Sequence, residues 1–398
     1  MQLTQHWQLS ASLTFLNHGC FGSVPRVVGE AQKELRDQLE ADPVHFLAPE
    51  RELESKLDRV RGVIADFVNA KASNLVFVRN ATDGVNAVLR SMTLVEGDEI
   101  VVTNHGYNAC TNAANYVASR SGARVRVAEI PFPVNNEDEV VAAVDAVLSD
   151  RTRLLLVDHV TSPTALVFPI ERLIALAHDR GARVMIDGAH AAGMLPLNLR
   201  ALGADYYTAN HHKWLCAPKV SGFLYVAPEY QDEVQPTVIS HPYNRPRPGR
   251  SQFTASFDWV GTYDPSPLLT LPKAIDFMSG LMAGGFDTLM RRNHDLILQA
   301  RDQLNNSFSV PISTPDSMLG SMYAFPLAGV DPGDADSFRN HLREEYGIEV
   351  PVYAGVCDPA GERTSSSVLR ISIQAYNDLN DIQRLIDALR KIAAVSES

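Results

Sequence analysis

Lys213 and Asp187 are the two residues whose types and spacing could do chemistry together. Lys213 stands among the polar and ring-bearing residues 209–214, about 25 residues after an apolar run that ends at Asp187. An amine bonds covalently to an aldehyde, and a buried carboxylate keeps a ring nitrogen protonated. An enzyme needs both groups to hold pyridoxal phosphate. The pair alone has an ordinary alternative, because surface lysines often neighbour tryptophan and an aspartate after a strand often caps a turn or helix.

The composition is typical of a globular protein with an acidic surface. The chain has 398 residues, of which 45% are hydrophobic, and its formal net charge is −12. We therefore expect two domains and no nucleic-acid partner, because a phosphate backbone requires a basic face. No run approaches the ~18 apolar residues of a membrane span, and residues 1–12 lack a secretory pattern. These features predict a cytoplasmic protein without a membrane partner.

The four cysteines are far apart in the sequence and lack the spacing of metal ligands. They are Cys20, Cys110, Cys216 and Cys357. This spacing predicts free thiols and neither a metal site nor a disulfide framework.

Short apolar runs recur between residues 74 and 226, at 75–78, 100–103, 125–130, 154–157, 184–186, 206–208 and 222–226. Helix-period segments such as 84–94 and 170–179 separate most of them. This alternation predicts an α/β domain with a mostly parallel sheet of about seven strands, covered by helices. An amphipathic helix at 52–69 precedes it, and a loop at 241–250 follows. A second α/β unit is predicted from helices at 286–305, 335–346 and 379–394 and strands near 322–325 and 368–373.

Polar residues follow several of these runs, where the carboxyl ends of parallel strands bind ligands. Residues 80–84 begin a helix that Thr82 or Asp83 could cap, and the same free N–H groups could hold a phosphate. Residues 103–107, 158–164 and 187–190 carry His, Tyr, Ser and Asp side chains. Several such clusters at one edge favour a catalytic site over isolated polar residues.

Six sequence motifs resemble those of a known family. They are Asn17-His18-Gly19-Cys20-Phe21-Gly22, Asn80-Ala81-Thr82, Asp187-Gly188-Ala189-His190-Ala191, His212-Lys213-Trp214, Gly261-Thr262, and Leu369-Arg370-Ile371-Ser372 with Tyr376-Asn377. Together they resemble the class V branch of fold-type I pyridoxal-phosphate enzymes, which includes cysteine desulfurases, kynureninases and isopenicillin N epimerases. The first motif and the segment 161–164 look most like the isopenicillin N epimerase-like subgroup. The likeness spans nearly the whole chain.

The resemblance implies a fold-type I transferase with a large cofactor domain at residues 26–270 and a smaller C-terminal α/β domain at 271–398. Residues 1–25 would form an arm that packs with the small domain. A homodimer is also implied, with Thr262 contributed across the interface as a phosphate ligand.

Roles follow residue by residue from the same resemblance. Lys213 would form the Schiff base with pyridoxal phosphate and shuttle the α-proton, and Asp187 would pair with the pyridine nitrogen. His190 and Ser162 would lie beside the phenolic oxygen. The phosphate would be bound by four residues, Ala81, Thr82, Asn210 and His212. Tyr107 would stack on the ring, with His105 as the alternative.

The substrate side is implied in the same way. Arg370 would grip the α-carboxylate of an amino acid in the bidentate geometry of a guanidinium, and Asn17, His18 and Gly19 would lie on the substrate side. The predicted reaction is epimerase-like, at the α-carbon. Epimerisation needs proton delivery to both faces of that carbon, and Tyr107 or a water molecule would be the second proton donor. A C–S lyase or cysteine desulfurase, a class V aminotransferase and a non-catalytic relic of the fold are the alternatives.

Two departures from the desulfurases bear on the reaction. Ser162 and His190 stand where desulfurases usually have Asn and Gln. Cys357 lies 13 positions before Arg370, close to where desulfurases keep their sulfur-accepting cysteine, but its neighbours do not match that motif. The sequence predicts an incidental thiol at Cys357.

Overall fold

The structure is a computed structural model that describes residues 3–355 and 367–396. Its strands are β1 Thr14–Phe15, β2 Leu75–Val78, β3 Glu99–Thr103, β4 Arg124–Ala128, β5 Thr152–Asp158, β6 Arg183–Asp187, β7 Tyr206–Asn210, β8 Gly222–Val226, β9 Met322–Leu327, β10 Ile348–Glu349, β11 Val352–Tyr353 and β12 Ser367–Ser372. Its α-helices are α1 His18–Phe21, α2 Arg26–Ala41, α3 Pro43–Leu47, α4 Glu54–Phe67, α5 Ala81–Ser91, α6 Asn108–Ser121, α7 Glu137–Asp145, α8 Ile170–Asp179, α9 Leu199–Leu202, α10 Gln252–Asp258, α11 Ser266–Leu269, α12 Leu271–Gly280, α13 Gly285–Phe308, α14 Ala335–Tyr346 and α15 Leu379–Ser396.

The central sheet confirms the predicted mostly parallel α/β architecture. Seven strands lie in the order β2-β8-β7-β6-β5-β3-β4, and β8 runs antiparallel to its neighbours β2 and β7. Strands β6, β7 and β8 have almost entirely buried side chains, as strands covered by helices on both faces must. The edge strand β4 is largely exposed. The parallel strands β5, β6 and β7 therefore end at one common edge.

Helix α5 begins earlier than its sequence pattern predicts, because Asn80 caps it. The Asn80 carboxamide oxygen accepts the N–H of Asp83 at 2.9 Å, which satisfies one of the free donors of the first turn. The prediction that Thr82 or Asp83 caps this helix is therefore wrong. The predicted loop at 241–250 contains a single 3₁₀ turn, His241–Tyr243.

A second core surrounds the antiparallel sheet β11-β12-β9. It includes Ile297, Leu369 and Ile386, together with Leu16 from the N-terminal segment. Strand β1 pairs in parallel with β10, so residues 14–15 are attached to this C-terminal unit. Helix α12 and the first turns of α13 pack instead against the core of the central sheet. No helix within residues 3–355 and 367–396 is long and apolar enough to cross a membrane.

The N-terminal segment also packs against the loop that follows β7, and Gly22 makes the closest approach. A β-carbon on Gly22 would lie 2.0 Å from the carbonyl oxygen of His212, and its φ of +66° is in the left-handed region. Lys219 donates to the Gly22 carbonyl at 3.1 Å. The backbone contact therefore requires glycine, both for conformation and for space.

We expect Gly22→Ala to destabilise the protein more than Gly203→Ala. Gly203 has a similar φ of +75°, but nothing lies within 4 Å of an added β-carbon. The control therefore carries only the left-handed strain, about 1–2 kcal/mol, whereas Gly22→Ala adds a clash with the backbone. Urea unfolding of both variants measures the difference, and equal losses of unfolding free energy would contradict this account of Gly22.

Candidate active site

The carboxyl ends of β5, β6 and β7 bring Asp158, Asp187 and Asn210 to one edge of the sheet. Asp158 lies directly opposite Asp187 in the strand register. Lys213 follows three residues after β7. The structure thus brings together Lys213 and Asp187, which the sequence predicts as partners in one site.

Lys213 contacts His190, and the contact determines the proton positions. The Lys213 Nζ lies 2.9 Å from His190 Nε2, while the indole N–H of Trp214 donates to His190 Nδ1 at 3.3 Å. Because an indole nitrogen only donates, Nδ1 must accept and the ring proton is on Nε2. Burial, followed by the charge of Lys213, keeps the pKa of His190 well below its ordinary value. The neutral His190 ring therefore presents its Nε2 proton towards the Lys213 Nζ.

The Lys213 amine is available as a base near neutral pH. Burial is the largest cause that lowers its pKa to about 8, and the guanidinium of Arg370 is the second. A desolvated amine next to a second cation favours its neutral form. The geometry therefore supports both bond formation by Lys213 and proton transfer by the same atom.

Asp187 is held by two donors, neither of which the sequence predicted. The Cys110 thiol donates to Asp187 Oδ2 at 3.1 Å, and the N–H of Ala189 donates to Oδ1 at 3.0 Å. Burial raises the pKa of Asp187, and burial together with the Asp187 charge raises that of Asp158 well above the ordinary value. Two neighbouring buried carboxyls resist joint ionisation, so a cation placed beside Asp187 is favoured.

Arg370 is fully buried and has no carboxylate partner within residues 3–355 and 367–396. Its Nη1 donates to the carbonyl and the hydroxyl of Ser162, and its Nη2 donates to the Cys20 sulfur at 3.2 Å. Its Nε is buried without an acceptor in the same part of the chain. The structure therefore places Ser162 on the arginine, whereas the resemblance implied a place beside the phenolic oxygen.

The N-terminal motif contributes structure as well as site residues. His18 is fully buried, with Nδ1 2.7 Å from the Tyr376 hydroxyl and Nε2 2.9 Å from the Lys213 carbonyl. Both ring nitrogens are occupied, so His18 positions the Lys213 backbone. A β-carbon on Gly19 would lie 3.2 Å from Arg370 Nη2. Asn17 donates to Glu349 at 3.0 Å, and its side-chain oxygen is buried without a donor among the described residues.

The predicted phosphate donors are only partly free. The Asn210 side-chain oxygen accepts the N–H of Ala81 at 2.9 Å, so this donor is already engaged. In the part of the chain that the structure describes, the N–H of Thr82 has no acceptor, and Nδ1 of His212 is buried without a partner. Asn210 therefore holds the start of α5, and Thr82 and His212 present the unpaired groups.

Tyr107 and His105 differ in their surroundings. Both His105 nitrogens are engaged in the interior, 2.7 Å from the Thr164 hydroxyl and 3.1 Å from the Ile130 carbonyl. Tyr107 is 45% exposed at the start of α6, and the charge of Asp187 contributes to its raised pKa after burial. Of the two, Tyr107 faces the site. Thr262 lies exposed, and Cys357 lies outside the described residues.

Four residues of this site escaped the sequence-based prediction of roles: Asp158, Cys110, Cys20 and Tyr353. Cys20 lies inside a quoted motif, and Asp158 ends an apolar run, so both positions carried a signal. Cys110 reaches Asp187 from helix α6, and the Tyr353 hydroxyl lies 3.6 Å from the Cys20 sulfur. These two contacts join residues that are 77 and 333 positions apart, and no local pattern indicates them.

We expect Asp158→Asn to change how stability depends on pH. A carboxyl whose pKa is raised in the folded protein contributes stability that is fully present below its ordinary pKa, near 4. That contribution is lost as the pH rises through the raised pKa. The unfolding free energy of the variant, relative to that of the wild type, should therefore increase from pH 5 to pH 8. Urea unfolding without added cofactor measures it; buried histidines are common to both proteins and cancel.

Asp138→Asn is the matched control, because the Asp138 side chain is 81% exposed and pairs with Arg172 at the surface. Its unfolding free energy relative to the wild type should change little over the same pH range. If the difference in unfolding free energy between Asp158→Asn and the wild type stays constant with pH, the raised pKa of the Asp158 carboxyl is contradicted.

Known proteins resemble this chain in sequence along nearly its whole length. Isopenicillin N epimerase from Amycolatopsis lactamdurans is 34% identical over 400 residues, covering 97% of this chain and 96% of that protein. Putative L-cysteine desulfhydrase 1 from Oryza sativa subsp. japonica is 30% identical, covering 96% and 84%.

Solved structures confirm the predicted fold. The cysteine desulfurase CsdA from Escherichia coli has a TM-score of 0.78 at 22% identity, covering 99% of this chain and 98% of that one. A C-DES mutant with glycine covalently linked to its pyridoxal-phosphate cofactor has a TM-score of 0.80 at 22% identity, covering 97% and 98%. The aminotransferase class-V family matches residues 21–385. This chain belongs to that family of pyridoxal-phosphate enzymes.

Proposed function

We propose that the protein removes the α-proton of an amino acid and returns a proton to the opposite face, as an epimerase or racemase. One observation carries the proposal. The buried Arg370 guanidinium has no carboxylate partner among the described residues, and it lies close enough to Lys213 to lower the pKa of that amine. A substrate carboxylate on Arg370 would satisfy the buried cation and bring the α-carbon to the base.

The residues at this edge fit pyridoxal phosphate. The unpaired Thr82 N–H and His212 Nδ1 suit a phosphate at the start of α5. Lys213 would carry the cofactor, and Asp187 would hold its pyridine nitrogen protonated. When bound, the cofactor supplies a sink for the electron pair left at the substrate α-carbon.

Protein groups then move and hold the protons. The neutral Lys213 amine takes the α-proton, and its pKa of about 8 suits this transfer near neutral pH. His190 presents its Nε2 proton as a donor, which suits the phenolic oxygen of the cofactor. Ser162 keeps Nη1 of Arg370 in place. The substrate carboxylate is therefore fixed while the proton moves.

We also propose a homodimer in which Thr262 reaches the phosphate of the neighbouring subunit. The exposed position of Thr262 supports this. Large apolar side chains are exposed in the same protein, among them Phe21 at 73% and Tyr243 at 65%, which suits burial against a second copy.

A C–S lyase is the second candidate. Relatives at 30% and 31% identity are named as L-cysteine desulfhydrases from Oryza sativa subsp. japonica and Arabidopsis thaliana. Both reactions begin with the same α-proton transfer. They differ at the next step, where a lyase expels the β-substituent and an epimerase returns a proton. The Lys213 and Arg370 geometry serves either.

We expect Lys213→Ala to lower α-proton exchange by at least ~100-fold, because the variant loses the base. Exchange is measured as deuterium incorporation from D2O over a panel of L-amino acids, together with optical rotation, sulfide release and amino transfer. Lys71→Ala, at an exposed lysine, is the control and should retain wild-type rates. If Lys213→Ala exchanged the α-proton near the wild-type rate, Lys213 would not be the base. Exchange without loss of optical activity in the wild type would favour the lyase.

Cys357→Ser separates sulfur transfer from both direct reactions. A desulfurase needs a cysteine that accepts sulfur from the substrate, whereas epimerisation and direct elimination do not. We expect the substitution to leave the rates within about twofold, corresponding to ~0.5 kcal/mol or less. Complete loss of activity, with an unchanged cofactor absorbance spectrum, would instead assign the protein to sulfur transfer through Cys357.

A further inference from the structure

We propose that the Cys20 thiol is the second proton carrier, which serves the substrate face opposite Lys213. This inference rests on the proposed epimerase function and names the residue that the reaction needs besides Lys213. The sequence left this group open between Tyr107 and a water molecule. The structure provides a third candidate that contacts the guanidinium of the carboxylate site.

The position of Cys20 follows from its contacts. Its sulfur accepts from Arg370 Nη2 at 3.2 Å and lies 3.6 Å from the Tyr353 hydroxyl. The guanidinium is fully buried, and its Nε has no acceptor among residues 3–355 and 367–396. A carboxylate bound along Nε and Nη2 would therefore lie next to the sulfur. The α-carbon is one bond from that carboxylate, which puts it within reach of the thiol.

Cys20 and Lys213 come from different elements. Cys20 lies in α1 of the N-terminal segment, and Lys213 lies in the loop after β7. His18 holds the two elements together through the Lys213 carbonyl at 2.9 Å. Inversion requires one proton carrier on each face of the α-carbon, and separate elements allow two groups to approach it from different sides. The half-buried Cys20 side chain also remains accessible.

A thiol suits this role better than the neighbouring phenols. Burial raises the pKa of Tyr107 and that of Tyr353 above the ordinary value for tyrosine. Phenols so placed retain their protons near neutral pH, so they are poor proton acceptors for the reverse reaction. The Tyr353 hydroxyl and the Arg370 guanidinium instead orient the sulfur.

The proton balance closes over one turnover. Lys213 takes the α-proton from one face, and the Cys20 S–H gives its proton to the α-carbon from the other, which leaves a thiolate beside Arg370. The substrate is then inverted, Lys213 carries one additional proton and Cys20 carries one fewer. Exchange with solvent returns both groups to their starting states, and the reverse reaction uses them in the opposite order.

The first test uses the cofactor-loaded protein in D2O with amino acids that the wild type inverts. Cys20→Ser and Cys20→Ala should lower inversion by ~100-fold or more. Deuterium incorporation with retained configuration should continue within a few fold, because Lys213 is unchanged. This continued exchange also proves that the variants fold, and Cys357→Ser is the thiol-matched control. Unchanged inversion in the Cys20 variants would overturn the role of Cys20.

Other outcomes of this test are equally decisive. Loss of both exchange and inversion in Cys20→Ser, with an unchanged cofactor spectrum, would count against a role confined to one face. A persulfide on Cys20 after incubation with L-cysteine would assign the thiol to sulfur transfer and overturn the proposal. Absence of inversion by the wild type with every amino acid would remove the epimerase proposal and with it the role of Cys20.

The second test does not depend on activity. Protein without cofactor is alkylated with iodoacetate or with iodoacetamide, which bond carbon to sulfur and release iodide, and peptides are quantified by mass spectrometry. Because the Arg370 guanidinium lies beside the sulfur, Cys20 should favour iodoacetate over iodoacetamide in the wild type. Arg370→Gln should abolish this preference. Equal preferences at Cys20 in the wild type and in Arg370→Gln would separate the thiol from the carboxylate site and overturn the inference.

Discussion

A buried guanidinium without a carboxylate partner among the described residues is the constraint on which the site depends. Arg370 is fully buried, and in the described part of the chain its Nη1 and Nη2 donate to the Ser162 oxygens and the Cys20 sulfur. Isolated buried charge is costly, so a fold that retains it gains when an anion arrives. The same charge lowers the pKa of the Lys213 amine. In the proposed function, recognition of the substrate and activation of the base therefore share one electrostatic cause.

The end of the site opposite Arg370 carries carboxyl groups instead of a cation. Asp158 and Asp187 are neighbours in the sheet, both are buried, and burial raises the pKa of each. A protonated pyridine nitrogen would relieve their repulsion, just as a carboxylate would relieve Arg370. Between the two ends, neutral His190 presents its proton towards Lys213. The site is thus prepared for a ligand that is cationic at one end and anionic at the other.

The N-terminal segment joins the two units of the chain at the site. His18 contacts Tyr376 and the Lys213 carbonyl, Gly22 packs against the His212 carbonyl, and β1 pairs with β10. Cys20 lies between these contacts, so its sulfur is held by structure on both sides. A short segment therefore sets the distance between the base and the carboxylate site.

The sequence by itself determined the sheet and the cofactor, and it predicted the principal site residues. Alternating apolar runs located all seven strands of the central sheet to within two or three residues, because burial on both faces leaves a continuous apolar signal. The roles of Lys213, Asp187 and Arg370 were predicted from motifs that are local in the sequence. Helix starts were less accurate, since the cap on α5 comes from Asn80 before the apolar pattern begins.

Only the tertiary structure decided which side chains meet. Ser162 is on Arg370, Asn210 holds the N–H of Ala81, and His18 supports the Lys213 backbone. Each contact joins residues more than 100 positions apart, and a one-dimensional pattern does not specify the direction of a side chain. For the same reason, the contacts of the Cys110 and Cys20 thiols were found only in the folded structure. Their neighbours in space, Asp187 and Arg370, come from β6 and β12, which only folding brings to them.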